Sequence, residues 1–155
     1  MQERVWDYPR PPAVVPCDRR VRVQLAGQLL ADSVAAVRVL ETSHPPTVYV
    51  PPADIRSELL APSDARGTWC EFKGAAHYLD AIIDGRRVVA VGWSYADPTS
   101  GYEVLRDHVA FYPGRVDQAW LDDELVQAQE GDFYGGWITA GLIGPFKGAP
   151  GTFGW

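Results

Sequence analysis

Apolar and polar positions alternate in short runs along this chain, and no run is long enough to predict a long helix. The pattern is organised around residues 68–98, TWCEFKGAAHYLDAIIDGRRVVAVGWSYADP. Asp84-Gly85 separates two apolar runs there, the signature of a hairpin closed by a two-residue type I′ turn. That turn predicts a register in which Ile83 faces Arg86, Ile82 faces Arg87, Asp80 faces Val89, Tyr78 faces Val91 and Ala76 faces Trp93. Alternation then puts Ala76, Tyr78, Asp80, Ile82, Arg87, Val89, Val91, Trp93 and Tyr95 on one face. His77, Leu79, Ala81, Ile83, Arg86, Val88, Ala90 and Ser94 occupy the other. Both faces are apolar enough to predict cover on both. Small Ala76 beside large rings makes either ordinary core packing or a slot for a ligand.

The rest of the chain reads as further short strands. Residues 1–18 form a proline-rich arm, where Pro9, Pro11, Pro12 and Pro16 favour extended chain. Trp6 and Tyr8 predict that the arm lies on the domain or on a second subunit. Residues 19–128 form the β domain. RVRVQL and the following strand make a hairpin around Ala26-Gly27, with Val21, Val23 and Leu25 inward, Leu30 opposite Val23, and the arginines outward. AVRVLET and TVYV are strands joined through Ser43-His44-Pro45-Pro46. Single helical turns are predicted after Pro51-Pro52 and near Tyr102, a strand at HVAFY, and a last hairpin at Asp122-Asp123. Residues 129–155 form an ordered Gly- and aromatic-rich tail, packed on the domain or on a partner. About ten short strands without a long helix predict an all-β fold.

At 155 residues the chain fits one domain. Its net charge of −6 excludes the basic footprint that nucleic acid or an anionic membrane requires. The two cysteines, Cys17 and Cys70, cannot build a tetrahedral cysteine zinc site, and neither a metal nor another cofactor is expected. The start, MQERVWDYPR, is charged and lacks the apolar core of a signal peptide, and no stretch is long enough to span a membrane. The expectation is a cytoplasmic protein with reduced thiols.

Several blocks carry a resemblance: VWDYPRPP, RRVRVQLAGQLLADS, VLETSHPPTVYVPPADIRSELL, TWCEFKGAAHY, AVGWSY, HVAFYPGRVD and the closing GDFYGGWIT…GPFKGAPGTFGW. Together they resemble the bacterial and fungal family catalogued as domain of unknown function 427, from Val5 to Trp155. The resemblance implies a β-tent, two small antiparallel sheets meeting at an angle. Similar folds hold zinc through two cysteine pairs, which this chain lacks. A nucleotidyltransferase label is attached to the family in places. The chain offers no Gly-rich phosphate loop leading into a helix and no acidic pair placed for magnesium, and GPFKG lacks the spacing of a P-loop.

Glu41 and His44 stand three residues apart in a polar block and suit acid–base chemistry if the chain bends them together. Otherwise they satisfy a turn. Lys73 precedes Gly74, a predicted kink, and either binds an anion or is solvated. Cys70 is either a nucleophile or an inert buried thiol. The catalytic candidates are therefore Glu41, His44 and Lys73. Tyr49, Cys70, Tyr78, Trp93 and Tyr95 are the candidate walls of a small-molecule pocket between two sheets. His77, on the opposite hairpin face, and His108 are set aside. The tail rings, Phe133 and Tyr134 among them, read as glue more than as a site. The alternative function is a non-catalytic interaction module, a homodimer or a binder of another protein, working through arm and tail.

Overall fold

The computed structural model describes residues 2–70, 72–131 and 133–155. Among them the strands, in chain order, are β1 (Glu3–Arg4), β2 (Ala13–Pro16), β3 (Val21–Leu25), β4 (Gln28–Ser33), β5 (Val37–Leu40), β6 (Thr47–Val50), β7 (Leu60–Pro62) and β8 (Thr68–Cys70). They continue as β9 (Gly74–Ile83), β10 (Arg86–Ser94), β11 (Val109–Phe111), β12 (Gln118–Leu121), β13 (Glu124–Leu125), β14 (Gln127–Ala128), β15 (Trp137–Ile138) and β16 (Leu142–Ile143). All helical segments among the described residues are three-residue 3-10 turns, so the fold is all-β. None is long and apolar enough to cross a membrane.

An eight-stranded antiparallel sheet runs β2-β5-β6-β11-β10-β9-β7, with β8 also paired to β9. A second sheet runs β13-β12-β3-β4, and two-stranded pieces join β1 to β16 and β14 to β15. The sheets exceed the predicted count because the shortest strands carry too few residues to show a period. The described residues of the arm, 2–18, are built into the fold: β2 pairs with β5, and β1 lies parallel to β16 from the tail.

The turns form where local chemistry directs them. Asp84 and Gly85 take φ of 51° and 78°, and Ala26 and Gly27 take 50° and 76°, as type I′ turns require. The second hairpin holds Gln28 opposite Leu25 and Leu29 opposite Gln24, then slips, so that Ala31 faces Val23 where Leu30 was expected. Arg19, Arg20 and Arg22 face acids on neighbouring strands and the turn between β12 and β13, Asp122 and Glu124, Asp32, and Asp123 respectively.

The central hairpin departs from its predicted register. Pairing holds from Ile83↔Arg86 to Ala81↔Val88, then shifts, and Trp93 faces Tyr78. The cause is Asp80, which is 2% exposed. Its Oδ1 accepts the Ala90 N–H at 2.7 Å and its Oδ2 accepts Arg87 Nη1 at 2.6 Å. A carboxylate that reaches across to a backbone N–H holds out the extra residues of a bulge, and Ala90 takes φ of 52° there. Val91 consequently joins the core with Ala81 and Ile83, not the Tyr78 and Trp93 set, and Ile82 and Val89 are exposed.

Two apolar clusters result. The first is largely aliphatic and lies between the sheets, joining Val21, Val23 and Leu30 to Val48, Val50, Val109 and Phe111. The alternate residues of the same strands, Tyr49 and Ala110, join Trp93, Tyr95 and Tyr112 in a second, aromatic cluster. β6 and β11 are therefore buried on both faces, whereas the central hairpin, expected to be covered on both, leaves Ile82 and Val89 exposed.

Candidate functional site

The Glu41–His44 segment is a tight turn. The His44 N–H bonds to the Glu41 carbonyl at 3.0 Å, and Ser43 takes φ of 73° in the third position. Acid and imidazole are thus folded back toward each other. Glu41 also meets Arg10 at 3.7 Å. His44 Nδ1 lies 2.9 Å from the Thr42 carbonyl oxygen, which can only accept. In the neutral ring Nδ1 therefore carries the hydrogen and Nε2 keeps its lone pair. Nε2 has no hydrogen-bond partner among the described residues. Burial pushes the imidazole pKa down, opposed by Glu41 and the Thr42 carbonyl and helped by Lys147 and Arg10. His44 is accordingly neutral at neutral pH.

Lys73 arrives through the kink predicted at Gly74, whose φ is 108°. A side chain at that position would sit 3.3 Å from the Asp97 carbonyl oxygen, so the approach of another backbone favours glycine on both counts. The Thr99 N–H bonds to the Lys73 carbonyl at 3.0 Å and pins the bend. Lys73 is 9% exposed, and its ammonium has no hydrogen bond or ion pair with a described residue.

The rings pack behind these groups in tilted and edge-on contacts. Trp93 Nε1 donates to Tyr49 Oη at 3.2 Å, and the Tyr49 and Tyr95 ring centroids lie 6.2 Å apart. The Trp93 and Tyr112 ring centroids are 4.7 Å apart. Burial above all pushes the phenols of Tyr49, Tyr95 and Tyr112 up, so they act as neutral donors.

All eight sequence-selected residues line one cavity of about 280 Å³. Glu41 and His44 enter from the turn after β5, Tyr49 from β6, Cys70 from β8 and Lys73 from the kink before β9. Tyr78 comes from β9, Trp93 from β10, and Tyr95 from just beyond it. The cavity lies against the aromatic cluster, on the face of the large sheet away from the small one. It was expected between the sheets, where the aliphatic core instead packs. His77 is exposed and takes no part, and neither does His108.

Several contributors were missed or, like the tail rings Phe133 and Tyr134, were read as glue more than as a site. Tyr112 shares the alternation of Ala110, a signal that was available in HVAFY. Phe133, Tyr134 and Lys147 come from the tail, which roofs the cavity. Tyr112 Oη donates to the Phe133 carbonyl at 3.1 Å, and the Lys147 N–H donates to the Ser43 carbonyl at 2.8 Å. Gly135 lets the tail pass against Trp93, since a methyl group there would lie 2.5 Å from the ring. No periodicity announces such long-range bonds.

A larger cleft of about 610 Å³ opens near Cys17, Arg19, Arg38 and Glu124. Its charges are largely answered within the protein: Arg19 by Asp122 and Glu124, and Arg38 by Glu3 at 2.8 Å. The smaller cavity, whose Lys73 ammonium and His44 Nε2 have no partner among the described residues, is the stronger candidate. No group of three or more His, Cys, Asp or Glu side chains among the described residues is placed to hold a metal.

The model of a family described as domain of unknown function (DUF427) matches residues 13–122. No match to the chain is found among curated proteins.

Proposed function

The chain belongs to the family described as domain of unknown function (DUF427), and we propose that the cavity beneath its tail is a small-molecule site in which His44 acts as the acceptor or base. The observation that carries this reading is the convergence of separately supplied polar groups on one aromatic-walled space. Pockets of this kind use apolar walls for affinity and a few placed polar groups for orientation. Nε2 of His44 would accept a proton or hydrogen bond from the bound molecule. Thr42 fixes the tautomer, and Glu41 offsets the charge of an imidazolium if one forms. Lys73 would face negative charge on the ligand, whether present from the outset or developing in a reaction.

The test is a thermal-shift screen against a metabolite library, since a ligand that binds only the folded state raises Tm. Glu41→Gln and Lys73→Ala are expected to keep Tm within about 2 °C of wild type, equivalent to about 0.5–1 kcal/mol at this size, and to abolish the ligand-induced shift. Unfolding of both variants by several degrees would make the two residues structural and end the reading.

The runner-up, an interaction module, draws on exposed rings: Trp69 is 69% and Phe153 80% exposed. Its arm component is weakened because the arm's backbone pairs within its own sheet. Light scattering on the intact chain and on one lacking the tail rings (Phe133→Ser with Phe153→Ser) decides between a ring-mediated dimer and a monomer.

A further inference from the structure

Resting on the small-molecule reading above, we infer that the cavity selects a flat aromatic molecule carrying a single anionic group. The charge argument comes first. The chain as a whole carries −6, yet the charged side chains among the described residues lining this cavity are Lys73, Lys147 and Glu41. Glu41 already faces Arg10 at 3.7 Å. Lys147 donates to the Trp155 main-chain oxygen at 3.3 Å and lies over the Tyr134 ring. Lys73 is more than nine-tenths buried and has neither hydrogen bond nor ion pair with a described residue.

The Lys73 ammonium is not among the buried unpartnered polar atoms of the described residues, which are Arg22 Nε, Arg38 Nε and Ser43 Oγ, so the stem is covered while the charge opens onto the cavity it lines. A cationic ligand meets repulsion from two lysines. A neutral one leaves Lys73 as it is. An anion satisfies it with a charge-assisted hydrogen bond, which is stronger than a neutral one.

The shape argument is independent. The back wall is made of rings packed at an angle, with Trp93 and Tyr112 centroids at 4.7 Å and their planes 55° apart, and Tyr49 edge-on to Trp93. At the mouth two further rings stay exposed, Trp69 at 69% and Phe133 at 56%. Exposed rings beside a cavity offer flat faces to a flat guest. His44 Nε2 supplies one acceptor, so a donor on the ring system of the guest adds orientation without adding charge.

The experiment is calorimetric titration of the intact protein with three probes of one shape: 2-naphthoate, its neutral amide 2-naphthamide, and the cation 2-naphthylmethylammonium. The expected order is naphthoate first by about tenfold or more over the amide, the amount one charge-assisted bond confers, with the cation weakest. Lys73→Met keeps the length of the side chain, removes the charge and is expected to bring naphthoate down to the amide. Equal affinity for naphthoate and amide in wild type overturns the anion assignment while leaving the pocket standing. So does a naphthoate preference that survives Lys73→Met. Absence of binding by all three at millimolar concentration removes the pocket reading itself. Should Lys73→Met fail to fold, the order of the three probes on wild type decides alone.

Discussion

Asp80 and Lys73 lie at the two ends of the first half of the same strand region, and both are buried, at 2% and 9% exposure. Asp80 is answered on every side. The Ala90 N–H and the Arg87 guanidinium bond to its two oxygens. Burial pushes its pKa up, but these bonds outweigh burial and hold the carboxyl below its ordinary value. Among the described residues Lys73 has no hydrogen bond or ion pair, and its ammonium opens onto the cavity. The difference teaches how to separate structural from functional charge in a family without a known reaction. A buried charge that the fold itself satisfies sets backbone geometry, here a bulge. One that the fold leaves unsatisfied, beside open space, is available to a ligand.

Removing the answered charge is the largest way to break this contrast. Asp80→Ala leaves the Ala90 N–H without its acceptor and Arg87 without its partner, and is expected to cost about 3 kcal/mol, lowering Tm by about 6–12 °C at this size. Urea denaturation followed by tryptophan fluorescence measures it. A loss below about 0.5 kcal/mol, within the range of ordinary surface substitutions, would mean that the bulge is held by packing alone. Lys73→Met provides the opposite sign. It removes an unanswered ammonium and keeps the stem, so stability holds or rises by about 1 kcal/mol. A drop of 2 kcal/mol or more in the same denaturation would show that the ammonium stabilises the fold and would erase the contrast.

Ser43 asks whether being unanswered is enough. It is fully buried, its Oγ has no partner, and its φ is 73°. Unlike Lys73 it does not line the cavity. Its backbone nevertheless ties the site together, bonding to Val5 and Lys147. Ser43→Gly keeps those backbone bonds, relieves the left-handed conformation and deletes the orphan hydroxyl. The expected gain is about 1 kcal/mol, with probe binding unchanged. Loss of naphthoate binding in a stable Ser43→Gly protein would assign the hydroxyl to the site.

Much of this was legible in the residues. Asp84-Gly85 and Ala26-Gly27 dictate their turns locally, and Gly74 before a strand announces a kink. The candidate residues converge because turn placement and alternation put Tyr49, Tyr78, Trp93 and Tyr95 on one face. The bulge shifts the register by two residues, which preserves the relation of Trp93 to Tyr78. The bulge itself was not legible, because it depends on one carboxylate reaching a backbone N–H ten positions away. Neither was the side of the sheet on which the cavity lies, since alternation divides residues into two faces without saying which face the second sheet covers. The tail roof depends on hydrogen bonds between distant segments, such as Lys147 to Ser43, that leave no local pattern.

His44 stands midway between the two charges: one nitrogen is answered by Thr42 and the other has no partner among the described residues. Its folded-state pKa lies below the ordinary value because burial opposes the imidazolium. In the unfolded chain it titrates near 6.5, its ordinary value. Over the interval below that value the unfolded chain binds more protons than the folded one, so folding stability falls as pH falls. Above it, both forms are neutral and the contribution is complete. The groups that set the shift are Glu41, which favours the charged ring, and Lys147 and Arg10, which oppose it. Tm measured from pH 7.5 down to about 5 is therefore expected to decline, and the decline in His44→Gln to be shallower, because the substituted side chain does not titrate. Glu41→Gln removes the opposing carboxylate, depresses the His44 pKa further and widens the window over which Tm falls. A Tm profile in which His44→Gln and wild type run parallel would mean that the ring is solvated enough to titrate normally, and His44 would then lose its standing as a neutral acceptor.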